Sequence, residues 1–308
     1  MPVTNPPKPF AGRHHPLADA PPAGGEATPS AHRSPARFVM RKLPHVTVLF
    51  WVLKIAATTL GETGGDLLAQ TLHVGYLVST AIFLAAFLIA VICQLKAGRF
   101  HPAIFWTVIA LSSTAGTTLS DLMNRTGGIG YTGGAAILTT GLILVFLLWW
   151  RSGQTLDVEN VASLRGEMLF WVAILFSNSL GTSSGDFLAD SLGLGFRDSA
   201  ILLTAIMFAL LAAHYLTRLN AMVLFWIAFV LTRPLGATLG DFLSKPRDHG
   251  GLAWGTMWTS ATLLALLVAL IVYQTVHVRR HPLTVLPLPV HRRTGAPQIP
   301  NGDLVTVA

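Results

Sequence analysis

A polar, glycine-rich octet recurs four times inside stretches that are otherwise apolar, at Thr59–Asp66, Thr114–Asp121, Ser179–Asp186 and Pro234–Asp241. Each copy begins nine residues beyond the phenylalanine of a Phe-Trp pair: Phe50-Trp51, Phe105-Trp106, Phe170-Trp171 and Phe225-Trp226. The frame continues to a glycine nine residues past each aspartate, at Gly75, Gly130, Gly195 and Gly250. Agreement of this kind in four places defines an internal repeat, which limits the fold to four copies of one supersecondary unit.

Each unit contains two apolar segments. They run from about Val46 to Leu68 and Tyr76 to Leu95, then over 104–123 and 131–150, 168–188 and 196–216, and 222–243 and 252–275. Each approaches the ~20 residues that a helix needs to cross the hydrocarbon. Only 11% of residues are charged, against roughly a quarter in soluble domains. The expected fold is therefore an all-α integral membrane protein with eight transmembrane helices, built from four parallel two-helix repeats. Second helices such as Ile82–Ile92 are apolar all round and are expected to face lipid as an outer ring, with the polar first helices inside. Repeats are placed at 46–99, 101–153, 166–218 and 221–277, within a membrane domain over 43–280. A Pro-rich tail over 1–42 and a second tail over 281–308 are expected to be disordered.

Short connections between units and at the ends carry Arg41, Lys42, Lys96, Arg99, Arg151, Arg165, Arg218, Arg279 and Arg280, whereas loops within units carry Arg125, Arg197, Lys245 and Arg247. This asymmetry places both termini in the cytoplasm. The net charge of +7 lies wholly in the tails, and no basic or aromatic motif accompanies it that would suggest nucleic acid. The partner expected is the lipid bilayer, with the tryptophans as interfacial anchors. Cys93 is the single cysteine, so disulfides within the chain and cysteine metal clusters are excluded. No Gly-x-Ser-x-Gly, His-Glu-x-x-His or phosphate loop is present, so no enzyme is expected. The sequence implies no particular cofactor.

The chemistry lies in the octet. Asp66, Asp121, Asp186 and Asp241 occupy one repeated position, and intramembrane carboxylates are costly enough to need a partner or a purpose. If the helix continues to the aspartate, hydroxyls at Thr59, Thr114 and Ser179 and at Thr63, Thr118, Ser183 and Thr238 share its face. Such oxygens suit a hard cation or a proton. The alternative is that each aspartate caps backbone groups where the helix ends, and the protein is a scaffold. Glycines four apart, as at Gly61 and Gly65, allow close helix approach. Unit one adds Lys54 and Glu62, unit three Asn178 and unit four Arg233, and a buried Lys54 or Arg233 is expected to pair with an acid. The set Lys54, Glu62, Asp66, Asp121, Asp186, Arg233 and Asp241 sums to −3, which favours a cation over an anion.

Four tandem two-span units with Leu-Gly-x-Thr-x-Gly-Asp-like cores at Leu60–Asp66, Leu180–Asp186 and Leu235–Asp241 resemble a bacterial family described as a repeat of unknown function, often labelled uncharacterised membrane-anchored protein. Unit two departs with Ala115 and Ser120. The resemblance implies an integral protein of the bacterial inner membrane and brings no substrate. The functional expectation is a transporter for a cation or proton, using Glu62 and the four aspartates as ligands.

Overall fold

A computed structural model describes residues 38–40, 46–97, 100–153, 163–280 and 285–287. Eight helices follow in order: α1 (Val48–Asp66), α2 (Tyr76–Lys96), α3 (Pro102–Asp121), α4 (Gly130–Arg151), α5 (Leu164–Asp186), α6 (Gly195–Leu216), α7 (Ala221–Ser244) and α8 (Thr256–Arg280). The starts of the odd-numbered helices are written locally. Thr47, Ser163 and Asn220 accept hydrogen bonds from Phe50, Gly166 and Met222 N–H groups, and Pro102 opens α3, where its missing donor costs nothing.

The α-helical path of α1, α3 and α5 stops at the repeated aspartate and continues as one π-helical turn, at Leu67–Thr71, Leu122–Thr126 and Phe187–Ser191. The chain then reverses through a glycine at positive φ, Gly75 (82°), Gly130 (73°) and Gly195 (72°), where a side chain would be strained. In unit four Gly250 is also at positive φ (78°) but ends a 3-10 turn at Arg247–His249, and the glycine before the second helix is Gly255 (76°), because this loop is longer by five residues. The ungapped frame read from the sequence thus holds through the aspartate and fails beyond it in the fourth unit.

The odd helices form a closed inner ring, α1 against α3, α3 against α5, α5 against α7 and α7 against α1. Each even helix packs mainly on the inner helix of the following unit: α2 on α3, α4 on α5, α6 on α7 and α8 on α1. The hairpins therefore interlock cyclically. Buried positions on the outer helices are few and fall in one seam; in α2 they are Ser79, Thr80, Phe87 and Gln94, and in α8 their counterparts Thr259, Ser260, Leu267 and Gln274. A seven-residue recurrence gives a narrow stripe, leaving the rest of each outer helix apolar and exposed.

Six helices (α2, α3, α4, α6, α7 and α8) are long and apolar enough to cross a membrane, and the protein is a multi-pass membrane protein. Helices α1 and α5, expected to be spans, fall outside this group; each carries three charged residues, Lys54, Glu62 and Asp66, or Arg165, Glu167 and Asp186. The two expected disordered tails lie outside the described residues except for β1 (Phe38–Met40) and β2 (Val285–Pro287), which pair antiparallel with Val39 opposite Leu286. The all-α reading thus holds for the membrane body and not for this short ribbon of β-favouring residues.

The tryptophans are not lipid-facing anchors. Trp106, Trp171 and Trp226 are buried and Trp51 is half-buried. Each ring lies against the phenylalanine of the preceding unit: Phe50 to Trp106 at 5.6 Å, Phe105 to Trp171 at 5.8 Å, Phe170 to Trp226 at 6.3 Å and Phe225 to Trp51 at 5.7 Å. The repeated Phe-Trp pair is an aromatic belt that closes the amino-terminal end of the inner ring.

A candidate ion site on the ring axis

Residues four apart on an inner helix share one face, and the face turned to the axis is read through positions 54, 58, 62, 66 and 70 of α1 and their equivalents. The first layer beyond the aromatic belt is Lys54, Ile109, Ile174 and Phe229. Next come Thr58, Ser113, Asn178 and Arg233, then Glu62, Thr117, Thr182 and Ala237, then the four aspartates; all sixteen side chains are at most 3% exposed. The hydroxyl stripe drawn from the sequence lies on another face. Thr118 and Thr238 donate back to Thr114 and Pro234 carbonyls, Thr63 meets Ser260 of α8, and Ser183 meets Ser120 across the α3–α5 seam. These four oxygens serve helix packing rather than the acids.

Arg233 is completely buried and its guanidinium reaches all the other inner helices. Nη2 donates to Glu62 Oε2 at 3.0 Å, to Thr182 Oγ1 at 2.8 Å and to Thr117 Oγ1, and Nη1 points to the Thr58 carbonyl at 3.4 Å. Hydroxyls of Thr117 and Thr182 also lie 3.2 and 3.1 Å from Glu62 Oε2. One arginine from unit four thus plugs the axis, charge-balanced by unit one and hydrogen-bonded by units two and three. Lys54 has no such acid among the described residues: its ammonium lies 4.2 Å from the centre of the Phe229 ring. Asn178 donates to Ser112 at 2.8 Å.

The aspartate layer divides into two clusters. Lys245 Nζ lies 2.5 Å from Asp66 Oδ2 and 3.7 Å from Asp241 Oδ1, and Gln70 donates to Asp66. Arg125 lies 3.1 Å from Asp121 Oδ1 and 3.6 Å from Asp186 Oδ2. Both cations stand four residues beyond an aspartate, in units two and four only; Gln70 and the exposed Asp190 hold that position in units one and three. Burial pulls the Lys245 ammonium down, but Asp241 and Asp66 outweigh it and hold it above the ordinary pKa. Carboxylate oxygens of Glu62, Asp66 and Asp241 come within 4.8 Å of one another, an arrangement able to hold a cation.

Arg125 and Lys245 are the site residues that sequence reasoning missed, having been assigned to loops. Their signal was present: a basic residue at the aspartate plus four in alternate units, one helical turn along the same face. Including them changes the axial sum from −3 to −1, five acids against four bases.

The sequence model of the Repeat of Unknown Function (DUF347) matches residues 49–100, 104–155, 169–220 and 224–280. These are the four interlocking hairpins, and the longer last match contains the five extra loop residues. No curated protein and no solved structure matches the chain.

Proposed function

The chain belongs to this repeat family, and from that premise we propose that it is a transporter, not an enzyme, moving protons or a small monovalent cation across the bacterial inner membrane. The observation that carries the reading is the gathering of nine ionisable groups along the ring axis, five acids against four bases with a formal sum of −1. Packing alone does not call for such groups, since buried ion pairs are often replaceable by apolar residues without loss of stability. Ionisable residues at membrane depth mark ion pathways by default. In this reading all eight helices span, α1 and α5 being shielded from lipid by their ring partners. A proton or cation arriving at Asp66 and Asp241 competes with Lys245, and the Arg233–Glu62 pair separates this compartment from Lys54.

The scaffold reading draws on a different observation: the axis is closed by the aromatic belt at one end, and each aspartate lies against Arg125 or Lys245. Proteoliposomes separate the two. Proton and alkali-cation flux should be measurable with the intact chain and lost in Asp66→Asn, with the variant's thermal midpoint close to the parent. Absence of flux in the parent, or equal loss of folded protein for every Asp→Asn change, would make the scaffold the better account.

Orientation has its own test. With both termini cytoplasmic, reporters fused after Arg99 and after Arg218 will both read cytoplasmic, and one fused after Gly193 will read periplasmic. A periplasmic signal after Arg218 would overturn the two-span unit.

A further inference from the structure

The amino-terminal half of the axis has the opposite imbalance to the aspartate layer. Lys54 is fully buried, and its Nζ has neither a hydrogen-bond acceptor nor an ion-pair partner among the described residues. It rests on Phe229, which is four residues before Arg233 on the axial face of α7. The ammonium is thus about one helical turn, ~6 Å along the axis, from the level at which Arg233 branches. Arg233 Nε–H is also buried without an acceptor, because Glu62 and the threonines engage only the terminal nitrogens. Two cationic donors therefore belong to adjacent axial layers, out of water, with nothing to accept from them among the described residues.

We propose that a small monovalent anion of the halide class, chloride under ordinary ionic conditions, binds between Lys54 Nζ and Arg233 Nε. A water molecule serves a buried donor, but it leaves an ammonium at Lys54 unbalanced, so without an anion this lysine escapes the cost of an unpaired buried charge only by giving up its proton. The face of Phe229 supports the charged form of the lysine. The rest of the layer is Ile109 and Ile174, both fully buried, which offer no donors to a polyatomic oxyanion, so the two cationic donors alone offset the cost of desolvating the ion. The anion goes beyond the transport reading and does not depend on it: it balances Lys54 whether or not anything crosses the membrane.

The test is equilibrium binding of radiolabelled chloride to the full-length chain, purified in detergent in a gluconate buffer. A single saturable site is expected, displaced by bromide and untouched by gluconate. Lys54→Met should weaken it by about tenfold or more, since one of two charges holding the ion is gone, while Lys54→Arg should retain it. No saturable binding to the parent chain, or undiminished binding to Lys54→Met, would overturn the proposal. Should Lys54→Met fail to fold, anomalous scattering from bromide-soaked crystals of the parent decides: a peak beside Lys54 Nζ supports the site, and peaks only elsewhere refute it. Because this readout needs no flux, its failure and the failure of the transport reading are separate results.

Discussion

Glu62→Leu will destabilise the protein by about 3–5 kcal/mol, and the double variant Glu62→Leu/Arg233→Met will recover most of that loss. The single change removes the only acid paired with Arg233 among the described residues and leaves a guanidinium buried with hydroxyls and carbonyls, the situation in which breaking a buried pair is most expensive. The double change removes both charges while keeping similar volume, which is often neutral or better. Arg233→Met alone will be costly too, since it strands Glu62. The measurement is a double-mutant cycle on thermal or denaturant unfolding in detergent, where residues in one network show strong non-additivity. If the two single losses simply add in the double variant, the pair is not the coupled plug described above. The same variants separate stability from function: a Glu62→Leu/Arg233→Met chain that is well folded yet inactive in flux would show that the charges serve transport rather than packing.

Much of this architecture was legible because repetition substitutes for an alignment. Four copies of the octet reveal the hairpin, its two kinds of helix and the inner position of the polar one, since only the first helix carries groups that lipid would reject. The order of packing was not legible. That α2 belongs to α3 and α8 to α1 depends on which seam each outer helix presents, and a short periodic stripe on a uniformly apolar helix carries little signal. The tryptophans were misjudged for a related reason: a Phe-Trp pair at a span's start suits the interface, and only the ring geometry turns each Trp against the neighbouring unit's Phe.

The face of the acids was misplaced by angle. A hydroxyl seven residues from an aspartate is separated from it by only about 20° on an ideal helix, yet the axis is lined by residues at intervals of four, and the hydroxyls of Thr59, Thr114 and Ser179 return to carbonyls. Hydroxyl residues in helices have that local option, whereas Glu62 and Arg233 do not. Departures from the repeat were the better guide. Glu62, Asn178 and Arg233 lie on axial layers and break the fourfold pattern there, and so do Arg125 and Lys245 in alternate units. The ring is fourfold in its backbone and twofold in its aspartate layer.

The closed ring depends on a second set of positions, and the octet contains its own control. A Cβ built on Gly116 would lie 2.8 Å from Asn178 Cβ and 2.9 Å from both the Asn178 carbonyl carbon and the Ser179 nitrogen, so backbone must move to admit it. Gly61, Gly181 and Gly236 meet Ser113, Arg233 and Thr58 in the same way, each glycine facing the equivalent residue of the next unit around the ring. Gly64, three residues from Gly61 on the same helix, has nothing within 4 Å. Gly116→Ala is therefore expected to cost about 1–3 kcal/mol by overpacking, and a bulkier Gly116→Val more. Gly64→Ala is expected to be neutral or to stabilise by up to ~1 kcal/mol, as alanine does in place of an uncrowded helical glycine. Unfolding midpoints of the two alanine variants, prepared alongside the parent, give the comparison. Equal effects at 64 and 116 would mean that the inner helices do not approach through these glycines, and the cyclic packing that brings Arg233 onto the axis would lose its basis.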